Sequence, residues 1–245
     1  MPTRLLTHLA IVALAMTAAT TVHAAATTTG LAETLVKAAP KANPKVLQLA
    51  ARAAECARTQ GLLSEFHHLA VIDYSLPSTR PRLWVFDVER GRLVYQELVA
   101  HGRNSGGFLR ADHFSNVEGS KMSSIGLYQT ADTYYGSKGY SLRLRGLDPG
   151  FNDNALSRAI VMHGAPYVSE ALAEHLGRLG RSWGCPAVRE EVARGMIDTL
   201  KGGALLFAYY PDSKWLNQSP FFKCGATPRR QIVAAAGTAT PRDDG

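Results

Sequence analysis

The chain has 245 residues, 46% of them hydrophobic and 19% charged, with ordinary Gly, Pro and aromatic content. That is enough apolar material for one sizeable core, and it excludes a disordered or fibrous chain. The net charge of +7 is scattered along the sequence and comes with no nucleic-acid motif, so it reads as a solvated basic surface rather than a nucleic-acid site.

Residues 1–24 carry one charge, Arg4, then a run over 5–15 that is apolar apart from Thr7 and His8. Val22-His23-Ala24 and Ala24-Ala25-Ala26 offer small-residue cleavage sites, so a secretory signal peptide is expected, with export to the periplasm or cell envelope. Threonines from Thr17 onward cut the run short of the ~20 apolar residues of a membrane anchor. No later segment approaches that length. Loss of Arg4 leaves +6 on the exported form.

Residues 25–64 are expected to form a helical segment. One short helix runs over 31–39, before Pro40. Asn43-Pro44 then supplies an N-cap and a proline at the first helical position. Val46, Leu49, Ala50, Ala53, Cys56 and Ala57 fall on one face, and Gly61 ends the helix. From residue 65 the period changes. Strands are predicted over 69–73, 82–88 and 92–99, the last two joined by Glu89-Arg90-Gly91 as a hairpin. Residues 101–154 are rich in Gly, Ser, Asn and Tyr, with brief strands near 126–130 and 141–144. A buried strand over 159–163 delivers His163 at its end. Ser169 caps a helix running to 179, a second helix spans about 186–201, and 204–210 is the last strand. Residues 225–245 read as a flexible tail. Strands first and helices late predict a mainly β (α+β) catalytic domain over 65–224, not a doubly wound sheet.

Chemistry concentrates in Gly180-Arg181-Ser182-Trp183-Gly184-Cys185-Pro186. Gly180-x-Ser182-x-Gly184 matches a serine-hydrolase elbow, but that motif needs a histidine further along the chain. The histidines are at 8, 23, 67, 68, 101, 113, 163 and 175, so none follows Ser182, and a papain-like order fails on the same count. Cys185 remains as nucleophile. Pro186 after it predicts that Cys185 caps the following helix, where partial positive charge favours a thiolate and free N–H groups, with that of Gly184, serve an oxyanion. His163 is the best base. Neither H-E-x-x-H nor C-x-x-C occurs, so no metal site and no cofactor is expected. Three cysteines in an oxidising compartment suggest one bridge; if Cys185 stays reduced, the pair is Cys56 with Cys224. Cys56 as a buried apolar helix residue is the open alternative.

His163-Gly164 followed by Ser182-x-Gly184-Cys185 resembles the L,D-transpeptidase (YkuD-like) family, in the branch where Gly-Arg-Ser-Trp-Gly-Cys-Pro replaces Ser-His-Gly-Cys. Ser123-Ser124-Ile125-Gly126 is similar to that family's Thr-Pro-x-Gly loop. The likeness covers about residues 65–212. It implies a β-sandwich or barrel with inserted helices, peptidoglycan stem peptides as partners, and thiolate attack on a tetrapeptide stem with D-alanine leaving and a 3–3 cross-link forming. Cys185 would be nucleophile, His163 base, Gly184 and Cys185 N–H the oxyanion donors, and Ser182 an orienting group. Two positions depart from the pattern. The family's second histidine is Trp183 here, and its arginine or asparagine two residues after the cysteine is Ala187, with Arg189 one turn further as a substitute. Arg181, Trp183, Arg189, His113, Asn104 and Tyr134 are candidate substrate contacts, with Arg103, Arg110, Asn152 and Asn154 as further polar groups near the cleft. A hydrolase of the same fold (an L,D-carboxypeptidase or endopeptidase) and a non-catalytic wall-binding module are the alternatives.

Overall fold

The computed structural model describes residues 27–63, 65–107 and 109–224. The expected signal peptide and C-terminal tail lie outside the described residues. Among the described residues no helix is long and apolar enough to cross a membrane.

Helices α1 (Thr27–Ala38) and α2 (Pro44–Thr59) come first. The Asn43 side chain caps α2 by accepting from Lys45 N at 3.0 Å, and Pro44 occupies the first turn. Its buried face is mostly alanine, including Ala50, Ala51, Ala53 and Ala54, which lets the helix lie close on the sheet. Strands β1 (His68–Asp73), β2 (Leu83–Asp87) and β3 (Arg92–Glu97) form an antiparallel meander. A long hairpin follows, β4 (Gly126–Gly136) and β5 (Gly139–Gly146), then β6 (Val161–Gly164), α3 (Glu170–Leu176), β7 (Ala187–Val188), α4 (Glu190–Leu200), β8 (Leu205–Tyr209) and α5 (Ser213–Gln218). A 3-10 turn, Pro220–Phe222, is the last element of the described chain.

The eight strands make one mixed sheet in the order β3-β2-β1-β8-β4-β5-β6-β7, with β1–β8 and β6–β7 parallel. Past β3, Ala100 N donates to Ala187 O at 2.8 Å and Gly102 bridges Ser182, so the two ends of the sheet meet in a nearly closed barrel. The mainly β architecture with a few helices is as expected. Strands β1, β2 and β8 are buried on both faces. Leu69, Val71, Trp84, Phe86 and Phe207 pack outward against α2, Trp215 and Phe221. Ala70, Ile72, Val85 and Leu206 face inward with Leu142, Met162, Met196 and Ile197. Cys56 and Cys224 form a disulfide, Cα–Cα 5.5 Å, that fastens α2 to the end of the described chain.

Three elements differ from the sequence expectation. The β4–β5 hairpin is far longer than its two brief strands, because Thr133–Gly136 continue pairing with 139–142 beyond a bulge after Thr130. Helix α3 stops at Leu176, where Gly177 takes the left-handed conformation (φ 61°) that ends helices. The segment after Cys185 is not helical: Ala187 and Val188 pair with His163 and Gly164, and α4 begins only at Glu190 with Arg189 as its cap.

Two buried groups give the fold opposing pH responses. Arg82, fully buried, donates to Val99 O, Leu76 O and His101 Nδ1. Burial, then the neighbouring Arg82, drives the His101 pKa down to about 3. Unfolding therefore takes up a proton below the free value of 6.5, and stability from this group is lost as pH falls from there toward 3. Asp148, also buried, accepts from Leu127 N, yet burial pushes its pKa up to about 6 from 3.8. The folded state binds that proton first, so stability from Asp148 increases as pH falls through 6 toward 3.8. The two windows overlap and offset each other. Asp148→Asn is expected to uncover the histidine: its melting temperature should fall more steeply than wild type between pH 6 and pH 4. Parallel Tm–pH curves for the two proteins would refute this.

Candidate active site

Residues Ser182 to Pro186 form a tight turn held by its own side chain. Ser182 Oγ donates to Cys185 O at 2.6 Å and accepts from Gly184 N at 3.0 Å. The backbone of Ser182 is fixed on both sides, by Ser182 N to His101 O and by Arg103 N to Ser182 O. Gly184 has φ 126°, and a Cβ there would stand 2.7 Å from Met122 O, so both conformation and space require glycine. Behind it, Ser123 Oγ donates to Gly184 O at 3.0 Å and accepts from Gly102 N. The Ser123-Ser124-Ile125-Gly126 loop singled out in the sequence is thus the backing of the turn.

Cys185 is the free cysteine of the described residues and is half-buried. Its thiol donates to Ala159 O at 3.7 Å and accepts from Val161 N at 3.5 Å. Burial raises its pKa; the Val161 N–H, Arg158, its own amide and Lys138 pull the other way. Ala159 carries φ 53°, rare for a residue with a side chain, and this turns its carbonyl toward the sulfur.

His163 lies at the end of β6, paired with Ser141 on one side and Ala187 on the other. Its Nδ1 is 2.8 Å from Gly164 O. A carbonyl can only accept, so Nδ1 carries the proton and Nε2 keeps its lone pair. Burial lowers the His163 pKa, which holds the ring neutral. His163 and Cys185 line the same cleft, of about 420 Å³, together with Tyr134, Lys138, Arg158, Tyr167, Arg181 and Trp183. Among the described residues no hydrogen bond joins imidazole and thiol; each holds a backbone partner instead. Burial thus favours the uncharged form of both groups, the thiol and the imidazole.

The expected helix start at Cys185 is corrected by β7. The thiol receives no helix-terminal field, because Ala187-Val188 complete the sheet beside β6 first. The Gly184 N–H is engaged by Ser182 Oγ and so differs from the free oxyanion donor expected. Among the candidate contacts, Trp183, Tyr134 and Arg181 line the cleft. Trp183 is 69% exposed, with Lys121 Nζ 4.7 Å from its ring. Arg143 stands over Tyr134 at 4.1 Å. Arg181 also donates to Arg103 O and Gly106 O.

The other polar residues are engaged outside the cleft lining. Arg189 makes a two-pronged bond to Glu97, 2.8 Å each. His113 pairs with Asp112, Asn104 with Ser120 O, Arg110 with Ser75 O, Asn154 with Asn116, and Asn152 with Leu127 O. Arg158, Lys138 and Tyr167 line the cleft and were missed. A lone arginine in a loop offers no periodicity or spacing that would single it out. Among the described residues no three His, Cys, Asp or Glu gather as a metal site.

A nearly closed barrel thus holds a free cysteine and a buried histidine in one cleft. The sequence profile of the L,D-transpeptidase catalytic domain matches residues 38–209, and the chain belongs to that family. The match starts earlier than the resemblance over 65–212, taking in α2, whose alanine face shares one core with the sheet. Similar solved structures include an L,D-transpeptidase from Mycobacterium smegmatis (11% identity, 59% of each chain, TM-score 0.37). Another is an L,D-transpeptidase from Stackebrandtia nassauensis (13% identity, 76% of this chain and 79% of that one, TM-score 0.36). A third, from Mycobacterium tuberculosis, is 15% identical over 59% of this chain and 58% of its own, TM-score 0.33. The chain thus spans less than two thirds of the M. smegmatis and M. tuberculosis proteins. No curated protein matches it.

Proposed function

We propose that the chain is an exported peptidoglycan L,D-transpeptidase with Cys185 as nucleophile. The observation that carries the reading is the free Cys185 thiol in one cleft with His163, whose tautomer leaves Nε2 as acceptor. Nε2 takes the thiol proton as sulfur attacks the carbonyl of the L-centre of diaminopimelate in a tetrapeptide stem. The same proton goes to the departing D-alanine amine. An amine from a second stem then attacks the thioester, His163 accepts its proton, the thiol is restored and a 3–3 cross-link results. The amide of Cys185 itself, which lies against its sulfur, is the oxyanion donor. Lys138, Arg158 and Arg181 line the cleft and, among the described residues, no Asp or Glu does, a lining suited to the carboxylates of stem peptides. The disulfide accords with export to an oxidising compartment. The chemistry calls on no cofactor.

Incubation with tetrapeptide-bearing muropeptides tests the reading. Dimers linked 3–3, with D-alanine released, are expected by mass spectrometry. Shortened stems alone would assign the chain to hydrolysis instead. His163→Ala should slow acylation by about 10²–10⁴-fold with the fold retained. An unchanged acylation rate would remove His163 as the base.

A further inference from the structure

Arg158 joins the two walls of the thiol pocket. Its guanidinium donates to Ser115 O and Met122 O, both at 2.7 Å, to Ser120 Oγ at 3.1 Å, and to Ser124 Oγ. The loop so gripped is the one whose Met122 carbonyl abuts Gly184 and whose Ser123 hydroxyl holds Gly184 O. On the other side, the residue directly after Arg158 is the left-handed Ala159, whose carbonyl accepts a hydrogen bond from the thiol. Val161 N–H, two residues on, points at the sulfur. One side chain therefore sets the spacing between the backing of the Gly184–Cys185 turn and the backbone that contacts the thiol.

The four acceptors are neutral, and Glu118 is the carboxylate whose field reaches the guanidinium. Other groups facing Cys185 are Lys138 from the β4–β5 turn, Tyr74 after β1 and Tyr167 after β6, with His163 in the same cleft. Lys138 is exposed and screened by solvent; the tyrosines are pushed up to about 12 by burial and stay neutral. Arg181, also partly buried in the cleft, donates to Arg103 O and Gly106 O; Arg158 is the partly buried cation whose charge acts on the sulfur.

We propose that Arg158 is a positioning residue for Cys185, bracing the two walls of the pocket and facing the thiolate with a fixed positive charge as the thioester forms and breaks. The proposal rests on Cys185 being the nucleophile. Arginine suits the task better than lysine because its planar fork reaches carbonyls and hydroxyls together, whereas an ammonium is a point donor.

The test uses the oxidised full-length protein, in which Cys185 is the free thiol, alkylated with iodoacetamide across about pH 7 to 11.5 so that a midpoint raised by burial is bracketed. Arg158→Gln should move the midpoint of alkylation up by about one unit and slow acylation by a carbapenem about tenfold or more. Arg158→Lys should keep the midpoint within a few tenths of wild type while acylation still slows. A wild-type midpoint in folded Arg158→Gln overturns the proposal. Should that variant not fold, Ser120→Ala/Ser124→Ala keeps the arginine but removes two of its anchors. A smaller upward shift with slower acylation is then expected, and wild-type behaviour in both overturns the proposal. Full turnover by Cys185→Ala would instead defeat the nucleophile reading, whatever the midpoint of Arg158→Gln.

Discussion

Cys185→Ala is expected to lose cross-linking activity by on the order of 10⁴-fold or more, because no other group in the cleft can form the thioester. Ser182, the nearest hydroxyl in sequence, cannot substitute: its oxygen is held between Cys185 O and Gly184 N, inside the turn rather than toward the cleft. Alanine removes only sulfur, whose contacts are two long bonds to backbone, so the variant should fold like wild type. The measurement has two parts. Wild type should take up one equivalent of a carbapenem by intact mass, the strained lactam standing in for the stem carbonyl, and the variant none. Muropeptide dimers should vanish in parallel. A variant that folds, lacks the adduct and still cross-links would move catalysis away from this cleft. Wild type without any adduct would favour a wall-binding module.

The largest effect on stability is expected at Gly146, far from the thiol. This residue ends β5 opposite Tyr128, and a Cβ on it would lie 1.8 Å from the Asn152 carbonyl oxygen. The carbonyl cannot swing aside cheaply, since Ala155 N donates to it at 2.8 Å. The Asn152 side chain is fixed as well, with Oδ1 accepting from Asp148 N and Nδ2 donating to Leu127 O. Gly146→Ala must therefore break the turn that carries Asp148 or pull β5 from β4. A loss of at least about 3 kcal/mol is expected. For a chain of this size that lowers Tm by roughly 6–12 °C. A melting temperature within 1–2 °C of wild type would show that the strand register at this corner is wrong.

Much of this fold is legible in local chemistry. Asn43-Pro44 marks the start of α2, and alanine spacing marks its buried face. Glu89-Arg90-Gly91 marks the β2–β3 turn. Where the reading fell short, the deciding contacts are distant in sequence or too brief to leave a period. Ala187-Val188 is a strand of two residues, visible only once His163 and Gly164 lie beside it, so Pro186 looked like the first residue of a helix. The outer half of the β4–β5 hairpin, Thr133-Tyr134-Tyr135-Gly136 with Gly139-Tyr140-Ser141-Leu142, has no apolar alternation, and the bulge after Thr130 breaks its period. The pair Cys185–His163 emerges by elimination, since no histidine follows the cysteine. Arg189 looked available until Glu97 appeared opposite it, 92 residues earlier in the chain. Arg158 bonds residues 34 to 43 positions away, and nothing adjacent to it in sequence announces that role.

The bridge between Cys56 and Cys224 also decides how the molecule carries load. It spans 168 positions and encloses every strand of the barrel. A pull applied to the chain outside the two cysteines runs from α2 through sulfur to the far end, bypassing the barrel and the cleft within it. Among the described residues, a pull on the oxidised protein from outside the bridge would unravel α1 and the part of α2 before Cys56, and nothing inside it. After reduction the same pull would reach the sheet and draw the whole barrel out.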